Sequence, residues 1–436
     1  MLYYYIDSII YLKEGCVMER GKFIDVAADE DKHPEWKTLT SRQKPLEERK
    51  DDIRSPFARD YTRILHSTAY RRLKHKTQVF FNVGNDHICT RMEHVNHVES
   101  VSTTIAQWLG LNVELARAIA IGHDLGHAPF GHQGEQVIKD LARKYLGDNF
   151  WHEKNGLRFV DKIELLEDSK GRYSNLALTY AVRDGIISHC GEVDENGLKP
   201  RTELIDLDSF ETPGQYPPAT WEGCVVKIAD KIAYLGRDIE DAMTLGFLSK
   251  TAHSKLLKMA RAYDERAMNT TVIMHNMIVD ICQNSSPEKG ICMSPSIYKQ
   301  MVDLRDFNNK YIYKHPRFKP FKKYSELILR QIFNVLYRCY RERRTIYCLK
   351  DKLSFAPQLL KTFSEWLARY CTADIVPDEK LQGSKSLKDI SHECENEKIY
   401  EDLSDRKLYV QSILDFIAGM TDRFAIEVFN ELIMYN

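Results

Sequence analysis

The sequence lacks several features that would assign it to a protein class at once. Its 436 residues carry 62 lysines and arginines against 63 aspartates and glutamates, which excludes a globally basic nucleic-acid-binding protein. No apolar run approaches the roughly 18 residues that a membrane-spanning helix needs, so we expect no membrane association. The P-loop pattern GxxxxGKS or GxxxxGKT is absent, which removes the usual phosphate cradle of nucleotide-hydrolysing enzymes.

Paired-cysteine motifs are missing as well, and we expect no secretory leader. The ten cysteines form no CxxC pair, so we expect free thiols in a reducing, cytoplasmic setting. The opening MLYYYIDSIIYLKEGCV has a short apolar stretch that indicates either a strand or an upstream-start artefact, because Met18 begins a polar segment that reads as a natural start.

Helical periodicity is what the chain has in abundance, from about residue 56 to residue 242, whereas alternating strand patterns are few and short. The sequence therefore predicts a mainly α (all-α) fold. We expect an N-terminal extension over residues 1–43, a helical core over 44–250 and a C-terminal helical region over 251–436. The proline- and glycine-rich residues 206–223 predict a loop, and the polar residues 372–398 separate the last helices.

Three predicted helices carry the polar residues of interest. In the helix from Glu93 to Leu109, His94 ends an apolar stripe and is thereby directed inward. Asn112 is a good N-cap for a helix through Leu125 whose stripe ends at His123, before Gly126 and Pro129 break it. A third helix, from about Cys224 to Ala242, has an apolar stripe and an opposite polar face that includes Asp230, Tyr234, Asp238 and Asp241.

Histidines cluster in the first half of the chain. Five of the fifteen lie within residues 94–132, where the composition predicts about one; they are His94, His97, His123, His127 and His132. His123 and Asp124 end one helix, so both can reach one ion, and His94 and Asp230 are candidates to complete the site, although spacing alone does not select Asp230 over its acidic neighbours. Two imidazoles and two carboxylates suit manganese, iron, cobalt, nickel or magnesium, whereas a structural zinc site would prefer cysteines.

Several stretches of the chain resemble the motifs of one family, and they occur in the same order as in that family. They are RSPFARDYTRILHSTAYRRLKHKTQVF at 54–80, TRMEH at 90–94, HDLGHAPFGHQGE at 123–135, KIADKIAYLGRDIEDA at 227–242 and DFIAGMTDRFAIEVF at 415–429. Together they resemble the HD-superfamily deoxynucleoside triphosphate triphosphohydrolases of the deoxyguanosine triphosphatase type, over almost the whole chain after Lys44. The resemblance implies an HD-domain helical core with His94, His123, Asp124 and Asp230 as metal ligands, and it selects His94 over His97.

The resemblance also implies roles around the metal. His132 and Glu135 look like the pair that positions and deprotonates the attacking water. His127 and His152 are similar to histidines that contact the phosphates, and His152 is the candidate proton donor to the leaving 5′-oxygen. Arg91 and Lys231 resemble phosphate contacts.

Three further residues resemble the family's sugar contacts. Gln78 and Asp238 resemble residues that hold the sugar 3′-hydroxyl, and Tyr234 resembles the aromatic residue that packs against the deoxyribose. The alternative interpretation of this polar helix face is a solvated stripe with an Arg237–Asp241 ion pair.

The expected reaction is hydrolysis of a deoxynucleoside triphosphate, dGTP in the first instance, to deoxynucleoside and triphosphate by water attack on the α-phosphorus. Two alternatives remain at this point: another HD phosphohydrolase, such as a nucleotidase or phosphodiesterase, and a nucleotide- or single-stranded-DNA-sensing protein. The second rests on residues 309–324, NKYIYKHPRFKPFKKY, which interleave six basic and five aromatic residues. This stretch is equally interpretable as a solvated basic segment, an oligomer contact or an allosteric nucleotide site, since relatives form homo-oligomers.

Overall fold

The computed structural model describes residues 11–13, 16–46, 51–81, 87–189, 196–261, 270–378 and 385–434. Across these residues the chain is mainly α-helical, as the sequence predicts. The helices of the first half are α1 Trp36–Leu39, α2 Pro56–His66, α3 Thr68–Arg72, α4 Arg91–Leu109, α5 Val113–Gly122, α6 Gly131–Tyr145, α7 His152–Arg158, α8 Tyr180–Ser188 and α9 Trp221–Thr244. The helices of the second half are α10 Lys250–Arg261, α11 Thr270–Asn284, α12 Pro295–Asn308, α13 Phe318–Tyr337, α14 Thr345–Asp351, α15 Pro357–Tyr370, α16 Leu387–Glu393, α17 Arg406–Ala418 and α18 Asp422–Ile433.

Shorter elements connect these helices. Two antiparallel hairpins pair β1 Tyr11–Lys13 with β2 Cys16–Met18 and β3 Leu165–Glu167 with β4 Tyr173–Asn175. Turns of 3₁₀-helix lie at Ile24–Val26, Leu73–His75, Leu207–Ser209 and Ala373–Ile375, and π-helical turns lie at Phe159–Ile163 and Asn309–Tyr313. No helix in the described ranges is long and apolar enough to cross a membrane.

The core around the site is built by α2, α4, α5, α8 and α9, which pack against one another. Thr90 closes the start of α4 with a capping box, because its side chain accepts from the Glu93 backbone and the Glu93 carboxylate accepts from the Thr90 backbone. Asn112 caps α5 as the sequence predicts, through its side-chain oxygen and the Leu115 backbone N–H.

The prediction of a loop over residues 206–223 is wrong at its end. Helix α9 begins at Trp221 rather than at about Cys224, because Thr220 acts as its N-cap and accepts a hydrogen bond of 3.1 Å from the Gly223 backbone. The polar residues 372–398 likewise include a short helix, α16, which a Ser386–Asp389 capping box starts. Local caps therefore override the polar and loop-like composition of both stretches.

Residues 21–28 pack onto this core rather than away from it. Phe23, Ala27 and Ala28 are fully buried, and the Phe23 ring meets the Trp221 ring edge to face with centroids 4.9 Å apart. The buried Glu222 carboxylate accepts the backbone N–H groups of Ala28 and Asn112 through Oε1, at 3.0 and 2.9 Å. This single carboxylate thus joins the N-terminal segment to the starts of α5 and α9.

The C-terminal helices cover the opposite side of the site. Helices α13 and α17 pack against α6, and α18 packs against α13. An ion pair between the half-buried Arg158 and the buried Asp415 ties α17 to α7, and Asp415 also accepts from the Tyr400 hydroxyl. Helices α6 and α7, which carry predicted catalytic residues, are therefore held from behind by the end of the chain.

Candidate active site

A cavity of about 410 Å³ lies where these helices meet, within the usual range for a small-molecule site. The predicted site residues that line it are Gln78, Arg91, His94, Asp124, His127, His132, His152, Asp230, Lys231, Tyr234 and Asp238. The two others, His123 and Glu135, lie directly behind this lining, in contact with residues of it. The structure thus gathers the predicted residues from five separate parts of the chain.

His94, His123 and Asp230 form a potential metal-binding group. Each offers a ligand atom, and these atoms lie within 4.8 Å of one another. His94 Nε2 is 2.9 Å from Asp230 Oδ1, and His123 Nε2 is 3.9 Å from the same oxygen. Although burial opposes ionisation, the hydrogen bond from His94 and the charge of neighbouring histidines hold the pKa of Asp230 below its ordinary value.

The hydrogen-bond arrangement of His123 also suits a metal ligand. Its Nδ1 lies 2.6 Å from the Ala120 carbonyl oxygen, which accepts only, so in the neutral ring Nδ1 carries the hydrogen and Nε2 the lone pair. Nε2 is buried and has no hydrogen-bond partner among the described residues. A divalent cation that accepts both nitrogen and oxygen ligands would bind this nitrogen, so the donor set fits the predicted metal.

Asp124 occupies a more crowded position than its neighbours. Its Oδ2 accepts from Arg91 Nη1 at 2.7 Å, and its Oδ1 is 2.8 Å from His127 Nε2 but 3.8 Å from His123 Nε2. Burial would raise the pKa of Asp124, but Arg91, His127 and His123 together hold it well below its ordinary value. The carboxylate is therefore ionised, and in this structure it groups with His127 and His152 rather than with His94.

Glu135 contacts two histidines. His132 Nδ1 is 3.6 Å from Glu135 Oε2, and 74% of the His132 side chain is exposed. The backbone N–H of His152 donates to Glu135 Oε1 at 3.0 Å, and His152 Nδ1 is 3.3 Å from the same atom. The His152 ring stacks on the His127 ring with centroids 3.8 Å apart. Glu135 thus holds His152 firmly and meets His132 at ion-pair distance.

The polar face of α9 is not a solvated stripe. Asp238 is 2% exposed, its Oδ2 accepts a hydrogen bond of 2.6 Å from the Tyr313 hydroxyl, and burial raises the pKa of Asp238 to about 6. Arg237 is 4.0 Å from Asp241 but closer, at 3.2 Å, to Glu240. The side of α9 that bears Lys231, Tyr234 and Asp238 therefore faces the cavity.

Residues 309–324 divide between two environments. Asn309, Tyr313, Phe318 and Phe321 line the cavity, and Phe321 stacks on Phe81 with ring centroids 4.6 Å apart. The six basic side chains of the stretch are exposed. Most of its aromatic residues thus form a cavity wall, which the composition of the stretch alone did not indicate.

The predictions missed two buried residues next to the predicted site. His189 is 1% exposed and lines the cavity, with its ring centroid 5.0 Å from that of His123. Glu153, also 1% exposed, lies 3.3 Å from His152 Nδ1. A signal for His189 was present, because GIISH, like AIGH at His123, places a histidine directly after an apolar helix.

The C-terminal motif holds the loop that precedes α6. Asp422 Oδ1 accepts the Phe130 backbone N–H at 2.8 Å, and Oδ2 accepts the Thr77 backbone N–H at 3.0 Å. Phe130 has a φ of 64°, a left-handed conformation that a phenylalanine rarely adopts without such support. Lys76 Nζ, fully buried, donates to the His127 and Ala418 carbonyl oxygens. These contacts fix the backbone at Thr77 and Phe130, and therefore also the positions of Gln78 and His132, which follow them in the chain.

Comparison with known proteins identifies the relatives of this chain. The family model for the HD domain matches residues 91–235. A deoxyguanosinetriphosphate triphosphohydrolase-like protein of Caldanaerobacter subterraneus is 37% identical over 301 residues, which cover 69% of this chain and 78% of the relative. Its counterpart in Desulfatibacillum aliphaticivorans is 38% identical, covering 61% and 68%. The Geobacter metallireducens counterpart is 30% identical, covering 96% and 97%.

These matches define the protein first as an HD-domain hydrolase. More narrowly, the chain belongs to the family of deoxyguanosinetriphosphate triphosphohydrolase-like proteins. The resemblance inferred from the sequence motifs is thereby confirmed.

Proposed function

We propose that this protein hydrolyses deoxynucleoside triphosphates, with dGTP as its preferred substrate, to deoxynucleoside and inorganic triphosphate. The observation that carries the proposal is one cavity that joins a His–His–Asp group, basic side chains and a buried Asp238–Tyr313 pair. Family membership supports the coarser statement, a metal-dependent nucleotide phosphohydrolase. We further propose a cytoplasmic homo-oligomer, with an allosteric deoxynucleotide or single-stranded DNA as a further ligand.

The metal would be held by His94, His123, Asp124 and Asp230. When bound, the ion supplies a Lewis acid for an α-phosphoryl oxygen and lowers the pKa of a bound water. The contacts of Asp124 with Arg91 and His127 hold its carboxylate in the ionised form, which is the form that binds a cation.

The proton transfers are assigned to two histidines that share Glu135. His132 takes a proton from the attacking water, and Glu135 Oε2 stabilises the imidazolium that forms. The water oxygen bonds to the α-phosphorus, the bond between that phosphorus and the 5′-oxygen breaks, and His152 donates a proton to that oxygen. His127 packs flat against His152 and fixes the plane of its ring.

The remaining residues bind and orient the nucleotide. Lys231 and Arg91 neutralise phosphate charge at the cavity surface. Asp238 accepts a hydrogen bond from the sugar 3′-hydroxyl, and Gln78, whose Oε1 is buried with no partner among the described residues, contacts the same sugar oxygen through its amide N–H group. Tyr234 packs against the deoxyribose and excludes a 2′-hydroxyl.

Phosphorus NMR tests the reaction directly. The purified protein is incubated with manganese and each deoxynucleoside triphosphate in water enriched in ¹⁸O. Free triphosphate that carries the label, with unlabelled nucleoside, is the expected result, and the four rates give the base preference. Release of monophosphate, diphosphate or orthophosphate would instead favour another HD phosphohydrolase.

Asp124→Ala tests the metal assignment. We expect it to lose manganese, measured by mass spectrometry of the desalted protein, and to lose turnover with it, because one carboxylate of the ligand set is removed. A variant that kept both metal and activity would contradict the assignment of Asp124.

A further inference from the structure

A second group of ligand-type side chains lies beside the proposed metal site. His152, Glu153 and His189 each offer a ligand atom, and the three atoms lie within 4.8 Å of one another. His152 and Glu153 begin α7 and His189 follows α8, and these two helices pack together. The three donors are therefore brought together by the fold.

His189 has the hydrogen-bond arrangement of a preformed ligand. Its Nδ1 is 2.7 Å from the Ile186 carbonyl oxygen, so Nδ1 carries the hydrogen and Nε2 the lone pair. Nε2 is buried and has no hydrogen-bond partner within the described part of the chain. The arrangement repeats that of His123, in which Nδ1 also donates to the carbonyl three residues earlier. In metal-binding histidines, one ring nitrogen typically donates its hydrogen to a carbonyl oxygen, and the lone pair of the other nitrogen is then available to a metal.

Glu153 presents a second unsatisfied atom at the same place. The side chain is 2% exposed, and Oε2 makes no hydrogen bond within the described residues. Its nearest basic neighbour is His152 Nδ1, at 3.3 Å, a nitrogen that lies equally far from Glu135 Oε1. A buried carboxylate oxygen without a hydrogen bond is costly, and a bound cation would offset that cost.

We propose that His152, Glu153 and His189 bind a second divalent cation, separate from the ion at His94, His123 and Asp230. Two imidazoles and one carboxylate suit manganese, iron, cobalt or zinc, and three protein ligands leave positions for water or phosphate oxygens. His152 would bind through Nδ1 in place of its contact with Glu135 Oε1, while its backbone N–H keeps Glu135 and its Nε2 makes the proton donation assigned above. The His123 and His189 ring centroids are 5.0 Å apart, so the two proposed sites would be neighbours.

Metal stoichiometry without nucleotide tests this proposal. The metal-free full-length protein is dialysed to equilibrium against increasing manganese, and bound metal is measured by mass spectrometry. We expect two manganese ions per chain in the parent, and one per chain in Glu153→Gln and in His189→Gln. Electron paramagnetic resonance gives a second readout, because two nearby manganese ions couple and the coupled signal should vanish in both variants.

His97→Gln is the matched control. His97 is a half-buried histidine on α4 that belongs to none of the potential metal groups of the described residues, so this variant should retain two ions. Circular dichroism establishes that each variant is folded. Because Glu153 and His189 lie on different elements, one variant still tests the proposal if the other fails to fold.

A parent that binds one ion at every manganese concentration would overturn the proposal, as would folded variants that keep two. The result is separable from the proposed reaction. Two bound ions without any triphosphate release would contradict only the proposed reaction. One bound ion with triphosphate release would contradict only the second metal site.

Discussion

His132 is the proposed catalytic residue whose side chain depends least on packing, since 74% of it is exposed. We expect His132→Ala to retain fold, metal and nucleotide binding while kcat falls by ~10²–10⁴-fold, because only proton transfer is removed. Steady-state kinetics and manganese content measure both effects. Gln136→Ala, at an exposed position one turn further along α6, is the control. Turnover equal to the parent's would remove His132 from the water-activating role.

The burial of Asp238, the proposed sugar contact, carries a cost in stability. Its folded pKa of about 6 exceeds the ordinary 3.8, so the folded state holds its proton more tightly than the unfolded state. Stability is therefore lost as pH rises from about 4 to 6, by about 3 kcal/mol in all. Asp238→Asn should be more stable than the parent at pH 8 and little changed at pH 4, while KM rises.

Thermal unfolding at both pH values, together with KM, checks this prediction. The asparagine can still accept from the Tyr313 hydroxyl, so the local packing is kept. A variant less stable than the parent at pH 8 would mean that Asp238 is not strained by burial.

At the scale of elements, the start of α18 positions the loop before α6. Asp422→Asn removes the negative charge and leaves one acceptor oxygen for the two backbone N–H groups of Thr77 and Phe130. We expect kcat to fall by about tenfold or more while metal content is unchanged, because the loop geometry changes and the ligand helices do not.

Glu427→Gln is the control for this prediction. Glu427 lies on the same helix, and among the described residues its ion pair is the exposed one with Arg423. A kcat of Asp422→Asn equal to that of the control would show that the C-terminal contact does not position the site.

At the scale of the whole molecule, metal binding should stabilise the entire chain. The cavity is lined by residues from Gln78 to Phe321, so a ligand that binds there favours the packing of helices far apart in sequence. Manganese at about 100 times its Kd should add roughly 2.7 kcal/mol to the free energy of unfolding. Calorimetry before and after chelation, and after manganese is restored, should show Tm fall and recover. An unchanged Tm across these steps would contradict a preformed metal site.

Much of the fold was predictable because its signals are local. Apolar residues recur at helical spacing in α4, α5 and α9, and Asn112 caps α5, so one segment of sequence suffices to predict each helix. The inward direction of His94 follows from the same periodicity. The start of α9 was misplaced because its first residues follow a proline-rich stretch, and only the Thr220 cap marks where the helix begins.

The sequence by itself determined the helical class, the inward His94 and the motifs that identify the family. Only the tertiary structure decided the contacts between distant segments: Tyr313 with Asp238, 75 residues apart, and Asp422 with Phe130, 292 apart. It also decided that Glu153 and His189 converge. Periodicity specifies which face of one helix is buried, but which residues of two helices meet depends on how the helices pack.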